Sequence, residues 1–205
     1  MLNINKMSII LADLDDLIIN FCDLETDFFN IMRTNKYYYN LIINNELFKQ
    51  WKSVCFFVEA EDKFINSCAF NLLPLSKYLV SKYNIDIHAN KEEALRSSCA
   101  GGYIDVAKWL INLSMQPGFT LIDIHANREE AFRWSCVNNH LDMAKWLIEL
   151  SSGPNFKLID IHARSDYAFD HCYMLQQYDV VKWLIELSNK PGFSPFSYKI
   201  ISNLQ

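Results

Sequence analysis

Apolar residues between positions 63 and 193 fall into short blocks at helical spacing, and the blocks come in pairs. In one pair, the first stripe predicts a short helix over 92–101 with one buried face, and the second predicts a helix over 104–113. The two stripes consist of Ala94, Leu95, Ser98 and Cys99, and then of Val106, Trp109, Leu110 and Leu113. Gly102 stands between them, where it predicts the end of the first helix.

This helix pair is one copy of an internal repeat. Asp-Ile-His-Ala stands at 86–89, 123–126 and 160–163, and Lys-Trp-Leu-Ile stands at 108–111, 145–148 and 182–185, always 37 residues apart. An earlier and weaker copy precedes residues 108–111 by 31 residues, at 77–80. The Leu-Ile-Asp-Ile-His segment between pairs predicts an extended strand leading into a tight turn. A repeat of this length indicates a solenoid, in which each unit buries its apolar faces against its neighbours.

The segments Glu93-Ala94-Leu95-Arg96-Ser97-Ser98-Cys99 and Gly102-Tyr103-Ile104-Asp105-Val106-Ala107-Lys108-Trp109-Leu110 resemble the two helices of an ankyrin repeat. The Lys-Trp-Leu and Ile-Asp-Ile-His variants are similar to those in ankyrin arrays of giant DNA viruses (the mimivirus type). The usual Thr-Pro start is missing. The resemblance implies an all-α ankyrin-repeat solenoid with units at 63–85, 86–122, 123–159 and 160–193. Residues 53–62 are then a connection and residues 194–205 a tail or cap.

Residues 1–52 do not share the period, and their apolar residues predict short helices. The Leu-Glu-x-Asp-Phe-Phe-Asn centre at 24–30 and the closing Glu-Leu-Phe at 46–48 resemble an F-box, which docks a cullin-type ubiquitin ligase through a Skp-family adaptor. That resemblance implies docking through Leu14, Leu17, Phe28 and Phe29. The alternative is a helical cap over the first repeat, since solenoids need capped ends.

The net charge, the length of the apolar runs and the spacing of the cysteines argue against several classes of function. A net charge of −5 argues against a nucleic-acid partner, and no apolar run is long enough to cross a membrane. The N-terminal apolar stretch is too short for a signal peptide, which indicates a cytoplasmic protein, in the host cytoplasm if the protein is viral. The six cysteines show no C-x-x-C spacing, so we expect free thiols and no metal site.

No arrangement of residues predicts catalysis. His88, His125 and His162 repeat in phase, but stacked units would spread them along one edge. We expect these histidines, and the aspartates two residues before them, to satisfy backbone groups of the turns. Neighbouring His171 and Cys172 point in different directions on a helix, and the common nucleophile and phosphate motifs are absent. We therefore expect no enzyme activity and no cofactor.

The predicted function is binding of a protein partner by a monomeric scaffold. Ankyrin proteins bind through the hairpin tips and the first helices, which implies a set of partner-binding residues here. They are His88, Asn90, His125, Asn127, His162 and Arg164 at the tips, and Arg96, Arg133, Trp134, Asp170 and His171 on the helices. Trp134 breaks the repeat pattern, whereas Trp109, Trp146 and Trp183 form a regular column expected in the core. An F-box/ankyrin adaptor that recruits substrates to the ligase and a structural spacer are the alternatives.

Overall fold

A computed structural model of the protein describes residues 60–196, and every regular element within that range is an α-helix. The chain divides into two compact units, one ending at Asp86 and the other beginning at Ile87. The predicted N-terminal segment 1–52, most of the connection 53–62 and the tail from 197 onward lie outside the described residues. The expected ligase-docking residues Leu14, Leu17, Phe28 and Phe29 therefore lie outside them too.

The described part of the first unit is one helix pair, α1 (Ala60–Ala69) and α2 (Leu73–Lys82). Phe64, Leu75 and Leu79 of this pair are almost completely buried. The hydroxyls of Ser67 and Ser76 lie 2.8 Å apart and join the two helices through a buried hydrogen bond. This pair begins at Ala60, inside the segment that the sequence assigned to a connection.

The second unit contains three helix pairs in series. They are α3 (Ala89–Ala100) with α4 (Ile104–Ser114), α5 (Ala126–Val137) with α6 (Leu141–Ser151), and α7 (Ala163–Met174) with α8 (Tyr178–Ser188). Within each pair the two helices pack together, and the first helices α3, α5 and α7 also pack side by side. The helix pair predicted over 92–101 and 104–113 is confirmed. The fold of the described residues is all-α, with helix-turn-helix repeats.

The first helix α3 ends just before Gly102, where the sequence predicted its end, and α5 and α7 end at the equivalent positions. Gly102, Asn139 and Gln176 have φ values of 72°, 63° and 59°, the left-handed conformation that stops a helix. The next residue then bonds back to the helix, as Tyr103 N–H does to the Ser98 carbonyl at 2.9 Å. Gly102 also leaves room for the next repeat, because an added Cβ would lie 2.5 Å from Nδ1 of His140.

The core of the second unit lies between the helices and includes the small thiol side chains. Cys99, Cys136 and Cys172 are completely buried and free, as is Cys68 in the first unit. Burial raises the pKa of Cys68 and of Cys172 to about 12, so these thiols stay protonated. The tryptophans of the regular column are only half-buried and lie at the edge of the core rather than inside it.

The strand predicted before each turn does not form in the described residues. The physical reason is visible at Asp123. Its backbone N–H donates to the carboxylate of Glu92 at 3.1 Å and not to a neighbouring strand. The expected turn does form, because a carboxylate oxygen of Asp123 accepts a hydrogen bond from the N–H of His125 at 2.9 Å.

Candidate partner-binding surface

A left-handed turn precedes the right-handed part of every first helix in the second unit. In α3, Asn90, Lys91 and Glu92 have φ values of 54°, 60° and 62°. The same conformation recurs at 127–129 in α5 and at 164–166 in α7. Left-handed residues with a side chain cost about 1–2 kcal/mol each, so three in a row persist only where other contacts offset that cost. Two sets of side-chain contacts do so here.

The first set centres on the carboxylate at the third position of the turn. Glu92 accepts a hydrogen bond from Nδ1 of His88 at 2.9 Å and another from Asp123 N–H, so it joins the turn to the next repeat. Glu129 repeats both contacts, at 2.8 Å from His125 and at 3.2 Å from Asp160 N–H. Burial raises the pKa of Glu129, although these hydrogen bonds oppose the rise.

The three turn histidines differ in what their second ring nitrogen meets. Nε2 of His88 lies 2.8 Å from the Thr120 hydroxyl, which can donate to it. Nε2 of His125 is buried without a hydrogen-bond partner. His162 faces two acceptors, the Asp166 carboxylate at 2.6 Å and the Ser194 carbonyl at 2.8 Å, and so satisfies both only when it carries two protons.

The histidines therefore stabilise the turns mainly through side chains, and the prediction that they satisfy backbone groups of the turns is wrong for His88 and His125. Among the described residues, no three His, Cys, Asp or Glu side chains converge as a metal site would require.

The second set of contacts is an arginine that bonds to the left-handed backbone. Nε of Arg96 donates to the Lys91 carbonyl at 2.8 Å and a terminal nitrogen donates to the Asn90 carbonyl at 2.9 Å. Arg133 makes the same two bonds to the carbonyls of Arg128 and Asn127, at 2.8 and 3.2 Å. We call this arrangement the arginine staple.

The position of Arg133 differs from the one that the sequence predicted. The sequence placed Arg133 on the partner-binding surface, but its side chain is buried, with 2% of the residue exposed, and its hydrogen bonds go to its own turn. Arg96 is half-buried, and it also forms a 2.8 Å ion pair with Glu130 of the next first helix. Both arginines hold the scaffold together, and Arg133 cannot contact a partner without leaving the turn.

An aromatic cluster lies where α5 meets α7. The rings of Trp134 and Tyr167 meet edge to face at 6.3 Å, and the Tyr167 ring stacks on His171 at 3.7 Å. The guanidinium carbon of Arg133 lies 5.0 Å from the Tyr167 ring centre, a favourable cation–π contact. All three rings of the cluster are half-buried, so their outer surfaces face solvent.

The other predicted site residues lie around this cluster or at the turns. Asn90, Asn127 and Arg164 open the three left-handed turns and are exposed, whereas the turn histidines are half-buried. Asp170 is exposed on α7 beside His171. Partial burial and the charge of Asp166 raise the pKa of Asp170, while His171 lowers it.

Sequence reasoning missed two residues of the same face, Tyr167 and Met174. They stand four residues before and three after His171, which puts all three on one side of α7. Met174 is 67% exposed, whereas its counterpart Val137 is buried. The signal for Tyr167 was present in the repeat, because Glu93 and Glu130 occupy the equivalent positions.

The second unit is thus a helical repeat scaffold with an aromatic and apolar face on helices α5 and α7. A family model described as "Ankyrin repeats (3 copies)" matches residues 64–160, just under half of the chain, and identifies that part as ankyrin repeats. The copy at 160–193 lies beyond the match but keeps the same helix pair and turn. No curated protein and no solved structure matches the chain. Among the described residues, no helix is long and apolar enough to cross a membrane.

Proposed function

We propose that the chain is a protein-binding scaffold and that its partner contacts the face formed by the first helices α5 and α7. The observation that carries this proposal is the half-buried cluster of Trp134, Tyr167 and His171. Ankyrin repeats are in general protein–protein interaction modules. Their shared scaffold does not need this cluster, because the repeat at 86–122 has Ser97 and Glu93 at the positions equivalent to Trp134 and Tyr167.

The chemistry of the face suits a protein partner. Aromatic rings with an exposed surface are the residues that most often dominate binding energy at interfaces. Met174 extends the face with a flexible apolar side chain that adapts to its contacts. The exposed tips Asn90, Asn127 and Arg164 supply polar groups at the starts of the first helices. The remaining expected residues His88, His125 and His162 shape the turns that present these tips.

The chain itself supplies the substitutions for a test. Trp134→Ser and Tyr167→Glu install the residues that the repeat at 86–122 has at the equivalent positions, so they are compatible with the fold. We expect affinity capture from eukaryotic lysate with the full chain to recover a partner, and the double variant to lose it at least tenfold. Lys108→Ala, at an exposed position of a second helix, is the matched control and keeps the partner.

Two results would count against the proposal. Capture that is equal for wild type and the double variant would move the binding site elsewhere. Loss of capture together with a lower melting temperature of the double variant would mean that the cluster stabilises the scaffold instead.

A second function, that of a ubiquitin-ligase substrate adaptor, rests on the F-box resemblance of residues 11–50. In that case the repeats select the substrate and the N-terminal segment binds the Skp-family adaptor. Replacing Leu14, Leu17, Phe28 and Phe29 by alanine in the full chain should remove the adaptor and cullin from the captured proteins. If the captured proteins never include a Skp-family adaptor, the adaptor function is excluded and the protein-binding scaffold remains as the proposed function.

A further inference from the structure

The third left-handed turn lacks the arginine staple that the first two possess. Position 170 is the equivalent of Arg96 and Arg133, and it is occupied by Asp170. A carboxylate accepts hydrogen bonds and cannot donate to the carbonyls of the turn. Asp170 is also exposed, whereas Arg133 is buried.

The backbone of the third turn nevertheless keeps the shape that binds a guanidinium in the other two. Arg164 and Ser165 both have φ of 57°, compared with 54° and 60° for their counterparts in each earlier turn. No side chain among the described residues donates to the carbonyl oxygen of Arg164 or Ser165. The carbonyls of Arg164 and Ser165 are equivalent to the two that accept hydrogen bonds from arginine in each earlier turn. In the third turn they have no side-chain donor among the described residues.

The charges around these carbonyls favour a cation. Asp166 and Asp170 lie close enough to influence each other, and only Asp166 has a described ion-pair partner, His162. The groups nearby that can carry a positive charge are Arg164 itself, Arg133, which is held by its own turn, His162, which pairs with Asp166, and His171, which acts on Asp170. A guanidinium in the third turn would follow the one that Arg133 places in the second turn. The scaffold already accommodates guanidinium groups in successive turns, since Arg96 and Arg133 occupy the first and second turns.

We propose that the third turn is a binding site for an arginine side chain of the partner protein. The guanidinium donates to the carbonyls of Ser165 and Arg164, as Arg133 does in the preceding turn, and Asp170 supplies the opposite charge. Arginine fits better than lysine, because the planar guanidinium presents parallel donors to two acceptors, as both internal staples show. This inference rests on the proposed function only in that the arginine belongs to a protein partner.

The site adjoins the aromatic face. Asp170 follows Tyr167 by three residues, so the arginine site and the Tyr167 ring lie on neighbouring positions of one side of α7. A partner segment with an arginine next to an apolar residue would engage both.

The test is a titration of the isotope-labelled full chain, followed by amide chemical shifts. The probes are N-acetyl-arginine methylamide, its uncharged isostere N-acetyl-citrulline methylamide, and N-acetyl-lysine methylamide. We expect the arginine probe to shift the amides of residues 164–171 with a dissociation constant of about 1–10 mM, as a single charge-assisted contact allows. Lysine should bind several-fold more weakly, and citrulline should leave these amides unchanged.

Two variants make the outcome specific. Asp170→Arg supplies the staple from within the chain, so it should abolish the response to the arginine probe and raise the melting temperature by about 2–4 °C. Asp170→Asn removes the charge but keeps the carbonyls, so it should weaken the response without abolishing it. Equal shifts with arginine and citrulline, an unchanged response in Asp170→Arg, or no shift in residues 164–171 would each overturn the site.

The two proposals fail separately. If the wild type and Asp170→Arg capture the same protein partner equally well and the arginine probe is silent, the scaffold function stands and the arginine site does not. If the probe binds as expected but the chain captures no protein, the site is real and the proposed function is wrong.

Discussion

The carboxylate of Glu92 accepts a hydrogen bond of 3.1 Å from the backbone N–H of Asp123, a residue that belongs to the next repeat. The same carboxylate accepts from His88 at 2.9 Å. One side chain thus stabilises a left-handed turn and fixes the following turn against it. Glu129 and Asp160 repeat the relationship, so it is a property of the repeat and not of a single position.

Glu92→Ala should lower the free energy of unfolding by about 2–3 kcal/mol, because hydrogen bonds to a buried charged group are lost and their donors stay unpaired. Equilibrium unfolding in urea measures the change. Glu93→Ala is the matched control, since its side chain is only half-buried, and it should cost less than about 0.5 kcal/mol. Equal effects of the two substitutions would show that the carboxylate of Glu92 does not hold the turn.

Arg133→Met should destabilise the protein by about 2–3 kcal/mol. It keeps much of the buried volume but removes both donors to the left-handed turn. Arg96→Met should cost less, because the Arg96 side chain is only half-buried whereas that of Arg133 is buried. Denaturant unfolding of both variants tests the order, and a larger loss for Arg96→Met would contradict the staple as described.

Gln176→Gly should raise the free energy of unfolding by about 1 kcal/mol, because glycine adopts the left-handed helix end without the cost of a side chain. Gly102→Ala, at the equivalent position, should lower it by at least about 1–2 kcal/mol. The alanine Cβ would also meet the His140 ring. Thermal unfolding of the two variants should therefore give shifts of opposite sign, and shifts of the same sign would exclude this account of the helix ends.

The His162–Asp166 pair should make stability depend on pH near neutrality. Burial lowers the pKa of His162, but the hydrogen bonds to Asp166 and to the Ser194 carbonyl and the charges of Asp166 and Asp160 raise it more, so the net shift is upward. A raised pKa in the folded state means that folding favours the protonated form. The stabilisation is present in full below the ordinary pKa of 6.5 and is lost as the pH rises through the folded value.

The measurement is the free energy of unfolding between pH 6 and pH 8 for wild type and Asp166→Asn. Wild type should lose stability over this range, and Asp166→Asn should lose less because its residue 166 no longer carries the negative charge. Other groups that titrate in the range contribute to both proteins and cancel in the difference. Identical slopes would show that the pair does not bind the extra proton.

The candidate site was only partly predictable. Trp134 stood out because it breaks the repeat pattern, and His171 was expected on the same surface; the structure brings both against Tyr167. Arg133 looked like an interface residue, since arginine in a first helix is equally compatible with a surface. Its hydrogen bonds go to a left-handed turn that no local pattern predicts, because Asn127, Arg128 and Glu129 in that order do not favour three positive φ values.

The sequence by itself determined the repeat, its helix pairs and the positions where the first helices end. These features are local, since helical periodicity and a helix-stopping residue act within a few residues of the chain. Only the tertiary structure decided which polar side chains are scaffold and which are surface. Those roles depend on hydrogen bonds between residues more than thirty positions apart, such as Glu92 with Asp123, and on the contact of neighbouring first helices that buries Arg133 beside Tyr167.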